Sequence, residues 1–335
     1  MSPSTRDRLF GFQHAFDHPV VTGAVVLVVA GVVLTAGAGI LLSRLGRSGS
    51  RQSADVMTQA WSWLWPALLT LLPILLGAAW LMAAVCLLSL LCYREYARAT
   101  GLFREKTISL VVVLGILLVT FAVLDNYPRL FFASAALTVG LIAVVTIPQD
   151  RPKGYIQRIG LGALGFLLLG YCFGTIGFIG NDPNYRPIVV LLVIGVGLND
   201  LVALCVGKWV GGPKLIPNTS PGKTVAGSVG ALALTTPLVA TVGHFVFAET
   251  PADQPVRLLI LGAGLSILGQ LGSLLVSSIK RDVGIKDIGT ALPGFGGLLD
   301  RFDSLVLVAP AAFHYLSLLL GPLGSGQAQR IFTGG

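Results

Sequence analysis

Long apolar stretches alternate with short polar connections along the whole chain, and this alternation predicts a bundle of membrane-spanning helices. A helix needs about 20 consecutive apolar residues to cross a bilayer, and most of the stretches approach that length. The predicted spans are residues 19–43, 61–76, 77–93, 107–124, 129–147, 156–180, 187–207, 224–248, 256–279 and 303–321. The pattern therefore predicts an all-α, polytopic integral membrane protein with about ten transmembrane helices.

The apolar stretch at 61–93 is too long for one ordinary span, and its pattern alone leaves open one span or two. Pro73 and Gly77 lie near its middle, which favours a tight hairpin of two short spans. Lysine and arginine concentrate in cytoplasmic loops, and the basic loops here are 44–60, 94–106, 148–155 and 208–223. They share one side only if 61–93 crosses twice, so the rule favours two spans and puts both ends of the sequence on the opposite side.

The composition of the chain further restricts the class of protein to which it can belong. Of the 335 residues, 54% are hydrophobic and only 11% are charged, with a net charge of +8. A basic balance can indicate nucleic-acid binding, but these cations lie in short loops between spans, where topology and anionic lipid explain them. We therefore expect no nucleic acid, and we expect an integral protein of a bacterial inner (plasma) membrane.

Residues 277–303 carry eight charged side chains between two apolar stretches. Charged groups are costly near a bilayer, so a dense cluster there indicates a functional site. Four of the eight are cations and four are carboxylates, and the glycine-rich segment 293–297 lets backbone approach a ligand. This mixture suits a phosphate-bearing substrate and a divalent metal.

A second polar region lies at 199–224. Asp200 falls within an apolar span, where a carboxylate needs a partner, a cavity or a metal, or is protonated and bound to a neighbouring helix. The sequence Ser-Pro-Gly-Lys-Thr at 220–224 looks like the end of a P-loop, but the upstream glycine that motif needs is replaced by Pro217. Lys223 and the free amides of a helix that starts near Thr224 still predict an anion site.

Together the two regions resemble the CDP-diacylglycerol synthases, or phosphatidate cytidylyltransferases. The C-terminal pattern of that family reads Ser-x-x-Lys-Arg-x4-Lys-Asp-x5-Pro-Gly-His-Gly-Gly-x2-Asp-Arg-x-Asp. The residues that match it in type and spacing are Ser277, Lys280, Arg281, Lys286, Asp287, Pro293, Gly294, Gly296, Gly297, Asp300, Arg301 and Asp303. The family's upstream aspartate and its Ser-Pro-Gly-Lys-Thr motif match at Asp200 and at 220–224, so the resemblance covers roughly residues 199–310.

The resemblance implies transfer of a cytidylyl group from CTP to phosphatidate, giving CDP-diacylglycerol and pyrophosphate in phospholipid biosynthesis. It implies Mg²⁺, with or without a monovalent cation, and a site at the cytoplasmic face beside membrane lipids. It leaves monomer and homodimer both open. We divide the chain into N-terminal transmembrane helices (1–190), C-terminal transmembrane helices with the motif and the active site (191–321) and a tail (322–335).

The resemblance also assigns residue roles. The implied catalytic residues are Asp300, Lys280, Arg281, Lys286 and Asp287. The implied substrate-binding residues are Ser220, Gly222, Lys223, Thr224, Ser277, Gly294, Gly296, Gly297 and Arg301. The implied metal ligands are Asp300, Asp200 and Asp303.

Two positions depart from the family pattern. Phe295 stands where the family has histidine, and Ser273 stands where it usually has a metal-binding aspartate, although a hydroxyl is a weaker Mg²⁺ ligand than a carboxylate. The sequence therefore leaves open an active enzyme and a catalytically impaired relative that binds lipid or nucleotide or supports a partner protein. A transporter is disfavoured because its charges would lie near the bilayer midplane, whereas these cluster at one face.

Overall fold

The computed structural model describes residues 3–43, 69–289, 296–325 and 330–334. The longer helices, in chain order, are α1 (Pro3–Phe10), α2 (Pro19–Ser43), α3 (69–76), α4 (Ala78–Ala99), α5 (Lys106–Leu124), α6 (Pro128–Val145), α7 (Tyr155–Gly165), α8 (Cys172–Ile179), α9 (Tyr185–Val210), α10 (Val225–Val246), α11 (Pro255–Asp282), α12 (Leu299–Phe302) and α13 (Leu305–Leu320). A short hairpin of β1 (Lys214–Ile216) and β2 (Ser220–Thr224) joins α9 to α10.

The all-α, polytopic membrane architecture predicted from hydropathy is confirmed. Within the described ranges, seven helical segments are long and apolar enough to cross a membrane, and two shorter apolar helices accompany them. The exact count of ten spans stays a prediction. Residues 44–68, which include the first basic loop and the first half of the predicted span 61–76, lie outside the described residues.

The break expected inside 61–93 falls at Gly77. This residue has φ +139°, a backbone conformation that residues other than glycine rarely adopt. It separates α3 from α4. A Cβ at this position would lie 2.4 Å from the carbonyl oxygen of Leu9 in α1. Gly77 therefore provides both the break between the two helices and the room for α1 to pack there.

Glycines also set how closely the spanning helices approach, as small residues generally do in membranes. A Cβ on Gly227 of α10 would lie 2.5 Å from the Ala203 carbonyl oxygen of α9, and one on Gly262 of α11 would lie 2.5 Å from the Thr236 carbonyl oxygen of α10. Helices α9, α10, α11 and α13 pack together through such contacts, while α4 to α8 form the neighbouring group. This tight packing holds the ends of α9, α10 and α11 in fixed relative positions.

Two local features were not predicted from the sequence. The span 156–180 contains a π-helical stretch at Phe166–Tyr171 between α7 and α8, and the loop after α9 forms the β1–β2 hairpin. Lys214 pairs with Thr224 and Ile216 with Ser220 in that hairpin. It therefore brings Ser220 to Thr224 to the end of α9, next to the start of α10.

Candidate functional site

The two polar regions of the sequence meet at one end of the helix bundle. Asp200 lies on α9, Lys223 on β2, Lys280 in the last turn of α11, Asp300 on α12 and Asp303 just before α13. Hydrogen bonds link Lys280 to Asp300 and, through Ser304, Asp200 to Asp303, although 103 positions separate the first residue from the last. Lys223 Nζ donates to the Gln270 carbonyl oxygen of α11 at 3.4 Å and interacts electrostatically with Asp200 and Asp303. We call these five residues with Ser304 the charged cluster.

Asp200 and Asp303 share one hydroxyl group. The Ser304 hydroxyl oxygen lies 2.9 Å from Oδ2 of Asp200 and 3.3 Å from Oδ1 of Asp303. A serine hydroxyl has one proton to donate, so it satisfies one carboxylate at a time. The two carboxylates therefore lie close together with lone pairs to spare, and we call them the carboxylate pair.

The surroundings of the pair are electrostatically unusual. Burial, and after it the negative charge of Asp200, raises the pKa of Asp303 to about 6, against the opposing charges of Lys280 and Lys223. Burial also lowers the pKa of Lys223, which the charges of Asp200 and Asp303 oppose and that of Lys280 reinforces. Two carboxylates that lie close together in a poorly solvated site are stabilised by a counter-ion. A bound cation would be such a counter-ion.

Asp300 has a different environment, although it is only three residues from Asp303. Its Oδ1 accepts a hydrogen bond from Lys280 Nζ at 2.9 Å, and its Oδ2 accepts from the backbone amides of Ile288 and Gly297 at 3.0 Å each. The side chains of Lys280 and Asp300 are only 12% and 9% exposed. Asp300 therefore connects the backbone at Ile288 and Gly297 to the end of α11, and both of its oxygens are occupied by protein donors.

Two further residues of the implied substrate-binding and catalytic set, Arg281 and Thr224, make hydrogen bonds that connect neighbouring elements at this end of the bundle. Arg281 donates to the carbonyl oxygens of Thr219 at 3.1 Å and Ile285 at 3.2 Å, which ties α11 to the hairpin. Thr224 accepts from the Gly227 amide at 3.1 Å and caps α10, so the helix start expected near Thr224 is confirmed.

The other members of that set differ in exposure. Ser277 is partly buried on α11, one turn before Lys280. The exposed ones are Gly222, Lys286, Asp287 and Arg301. Gly296 has φ +81°, and a Cβ there would lie 3.2 Å from Oδ2 of Asp300. Gly294 and Phe295 lie outside the described residues, so the replacement of the family's histidine has no structural account.

Ser273 lies on α11, directly after Gly272 in the sequence. The preceding residue, Gly272, packs so closely on the following loop that a Cβ would lie 2.8 Å from the Asp303 carbonyl oxygen and 3.1 Å from that of Ser304. An aspartate at 273 would add a third carboxylate to this part of the bundle. In this chain the position carries a hydroxyl.

Sequence reasoning missed three features of the site. Ser304 bridges the carboxylate pair, and the Glu95 carboxylate of α4 accepts hydrogen bonds from the amides of Leu298 and Leu299. A polar network below the cluster joins Ser266 to Asn199 at 2.6 Å and Gln270 to Ser266 at 3.3 Å. Ser304 follows the last residue of the family pattern, which was a signal, whereas Glu95 sits in a basic loop region that suggested topology alone.

The donor set was tested for its fit to Mg²⁺. Within the described ranges, no group of three or more histidine, cysteine, aspartate or glutamate side chains is placed to hold a metal. Proteins commonly bind Mg²⁺ through one or two carboxylates together with water and substrate phosphates. The carboxylate pair fits that second arrangement, in which the ion is held jointly by the protein and a phosphate-bearing substrate.

Comparison with known proteins now identifies the class. A profile of the cytidylyltransferase family matches residues 57–319, and the chain belongs to this family. It is 33% identical to the phosphatidate cytidylyltransferase of Staphylococcus haemolyticus (strain JCSC1435) over 272 residues, which cover 73% of this chain and 93% of the relative.

Two further relatives extend the comparison. The phosphatidate cytidylyltransferase of Bacillus subtilis (strain 168) is 32% identical over 220 residues, covering 64% of this chain and 81% of the relative. The uncharacterized protein YnbB of Escherichia coli (strain K12) is 26% identical over 278 residues, covering 81% and 91%. The resemblance drawn from residues 199–310 is therefore confirmed at the level of the family.

Proposed function

We propose that this chain is a phosphatidate cytidylyltransferase, which converts CTP and phosphatidate to CDP-diacylglycerol and pyrophosphate. The single observation that carries the proposal is the meeting of Asp200, Lys223, Lys280, Asp300 and Asp303 in one cluster at an end of a membrane bundle. A soluble nucleotide and a lipid phosphate can both reach such a position. The basic loops favour the cytoplasmic side of a bacterial inner membrane for it.

In the proposed reaction, an oxygen of the lipid phosphate attacks the α-phosphorus of CTP, a new P–O bond forms and pyrophosphate leaves. Such transfers depend chiefly on positioning and on neutralising charge. Lys223, at the start of α10, and Lys280, beside Asp300, lie where they can neutralise phosphate oxygens. Arg281 and Arg301 add guanidinium groups, which bind phosphate with paired hydrogen bonds where lysine acts as a point charge.

The metal is assigned first to Asp200 and Asp303. Their carboxylates share only one hydroxyl donor, whereas both oxygens of Asp300 already accept hydrogen bonds. The role of Asp300 in the proposal is accordingly to fix the neighbouring backbone and to orient Lys280. When bound, Mg²⁺ would supply charge neutralisation at the phosphates.

The test is a product assay with the purified protein in mixed micelles. Phosphatidate, α-labelled CTP and Mg²⁺ are supplied, and labelled CDP-diacylglycerol is separated and counted. We expect product with the native chain and with Asp282→Asn, because Asp282 is exposed at the end of α11 and lies outside the family pattern. Absence of product across Mg²⁺, Mn²⁺ and Co²⁺, from protein with an intact thermal transition, would contradict the proposal.

The second candidate function is a catalytically impaired relative that binds lipid or nucleotide or supports a partner protein. Ser273 favours it, because this chain has a hydroxyl at the position where the family usually has a carboxylate. The same preparation distinguishes the two candidates. Binding of CTP without turnover, under conditions in which a phosphatidate cytidylyltransferase control turns over, would favour the impaired relative.

A further inference from the structure

The Glu95 carboxylate makes an unusual long-range contact. Glu95 lies near the end of α4, and its Oε1 accepts the amide hydrogen of Leu298 at 3.0 Å while its Oε2 accepts that of Leu299 at 2.9 Å. These two amides begin the turn that becomes α12, where the first N–H groups of a helix have no partner within the helix. One carboxylate therefore satisfies two otherwise free donors that lie more than 200 positions away in the chain.

The loop is shaped around this carboxylate. A Cβ built on Gly289 would lie 2.4 Å from Oε1 of Glu95, and one built on Gly297 would lie 2.7 Å from Oε2. Real Cβ atoms essentially never approach so closely, so both positions accept only glycine while Glu95 keeps its place. In the described part of the chain, Glu95 forms no ion pair with a lysine or arginine. Its hydrogen bonds in that part of the chain come from the amides of Leu298 and Leu299.

The segment that Glu95 holds leads directly into the charged cluster. Asp300 follows Leu299 in sequence, and it accepts from the Gly297 amide on the other side of the same turn. Asp303 comes one helical turn later and faces Asp200 through Ser304. A shift of the 298–299 backbone would therefore move Asp300 and Asp303 together relative to Asp200 and Lys223.

We infer that Glu95 is a positioning residue of the transferase: from α4 it fixes the 296–303 segment, and so sets the geometry of Asp300 and Asp303 against α9 and α10. The inference rests on the proposed function only for its catalytic consequence. The contact itself predicts a local structural effect that is measurable without turnover.

The first arm of the test compares Glu95→Gln with Glu105→Gln. Glu105 is also half-buried, sits nearby at the start of α5 and makes no side-chain capping hydrogen bond there, so it is the matched control. A glutamine at 95 keeps the shape of the side chain but turns one acceptor into an NH₂ donor that faces a backbone N–H. We expect faster amide hydrogen exchange in peptides covering 296–303 for Glu95→Gln, with unchanged exchange in α9 and α10 and no change for Glu105→Gln.

The second arm follows turnover. Misplacement of reacting groups by about 1 Å costs on the order of 100-fold in rate. We expect Glu95→Gln to lower kcat by about 10-fold to 100-fold while KM for CTP changes much less, because the binding groups on β2 and α11 stay in place. Glu105→Gln should leave both constants unchanged. A purely structural role would instead lower the amount of folded protein and leave the kcat of the folded fraction intact.

The third arm uses the space around the carboxylate. Gly289→Ala alone should accelerate exchange in 296–303 strongly, because its methyl group collides with Oε1. In a Glu95→Asp background the shorter side chain leaves room, so the added effect of Gly289→Ala should largely disappear. Independent, additive effects of the two changes would overturn the inference.

These outcomes separate this inference from the proposed function. Unchanged exchange in 296–303 for Glu95→Gln overturns the positioning role, whether or not the native chain makes CDP-diacylglycerol. Faster exchange in a protein that makes no product leaves the contact established and counts against the proposed function alone.

Discussion

Asp300 and Asp303 stand one helical turn apart in the same motif, yet their environments are opposite. Asp300 accepts hydrogen bonds from one lysine and two backbone amides. Asp303 is 7% exposed and shares a single hydroxyl with a second carboxylate. One aspartate therefore fixes neighbouring backbone, whereas the other lies buried beside a like charge, an arrangement that a bound cation would stabilise.

The largest expected effect comes from Asp303→Asn. Removing one carboxylate of the pair should lower cytidylyl transfer by about 100-fold or more, the scale seen when a group that neutralises transition-state charge is lost. Initial rates of labelled product, compared with those of Asp282→Asn, provide the measurement. Activity within a few-fold of the native chain would remove Asp303 from the site.

The thermal stability of Asp303→Asn provides a second test of the difference between Asp303 and Asp300. The folded pKa of Asp303 is raised to about 6 from the usual 3.8, so above pH 6 the ionised carboxylate opposes folding. The stability lost in this way is restored as the pH falls through 6 and the carboxyl protonates. In metal-free buffer at pH 7, the neutral Asp303→Asn should therefore unfold at the same temperature as the native chain or at a higher one.

We expect Asp300→Asn to lower the thermal stability of the protein, in contrast to Asp303→Asn. Breaking a buried ion pair leaves Lys280 uncompensated and costs about 3 kcal/mol, so the thermal transition should fall clearly below that of the native chain. Activity should fall too, because the loop that carries Asp303 loosens. A thermal transition equal to that of the native protein would show that Asp300 does not anchor the loop.

Lys223→Gln tests the cation on the other side of the pair. A charge-assisted hydrogen bond to phosphate contributes about 1.5–3 kcal/mol, so we expect roughly a 10-fold or larger rise in KM for CTP or loss of kcat/KM. Lys208→Gln is the matched control, because Lys208 is exposed in the last turn of α9. Equal effects of the two changes would mean that only general surface charge matters.

Ser273→Asp should give the smallest effect, and in the opposite direction. Restoring the family's carboxylate at the position after Gly272, which itself packs on the backbone of Asp303 and Ser304, should raise turnover several-fold and lower the Mg²⁺ concentration needed for half-maximal rate. Product formation across a Mg²⁺ titration is the measurement, and Ser278→Asp, on the exposed face of α11, is the control. A fall in activity would indicate that the native site has adapted to the hydroxyl.

Much of the architecture could be predicted because hydropathy reports directly on membrane burial. The spans from residue 107 onward match helices of the structure to within a few residues, and the break at Gly77 was signalled by Pro73 and glycine together. The placement of 199–224 and 277–303 in one site followed from the distribution of basic loops and from the resemblance to the family. The β1–β2 hairpin and the π-helical turn at 166–171 were not signalled, because both depend on packing between helices.

The contacts within the site were harder to predict for a physical reason. The spacing of Asp300 and Asp303 shows that both belong to the motif. It does not show that backbone amides donate to Asp300 while a serine hydroxyl donates to Asp303. Glu95 lies within the predicted basic loop 94–106, where the sequence assigned it no role. A carboxylate that binds backbone amides carries no sequence signature in its partners, since every residue except proline offers the same N–H group.

The most direct test of the central claim is binding of Mn²⁺, used as a paramagnetic substitute for Mg²⁺, to the purified protein with CTP present. Electron paramagnetic resonance of the free ion would be followed in the native chain, Asp303→Asn and Asp300→Asn below their thermal transitions. The account predicts that Asp303→Asn loses the protein-dependent site and that Asp300→Asn retains it. Loss in Asp300→Asn together with retention in Asp303→Asn would contradict the assignment of the metal to the carboxylate pair.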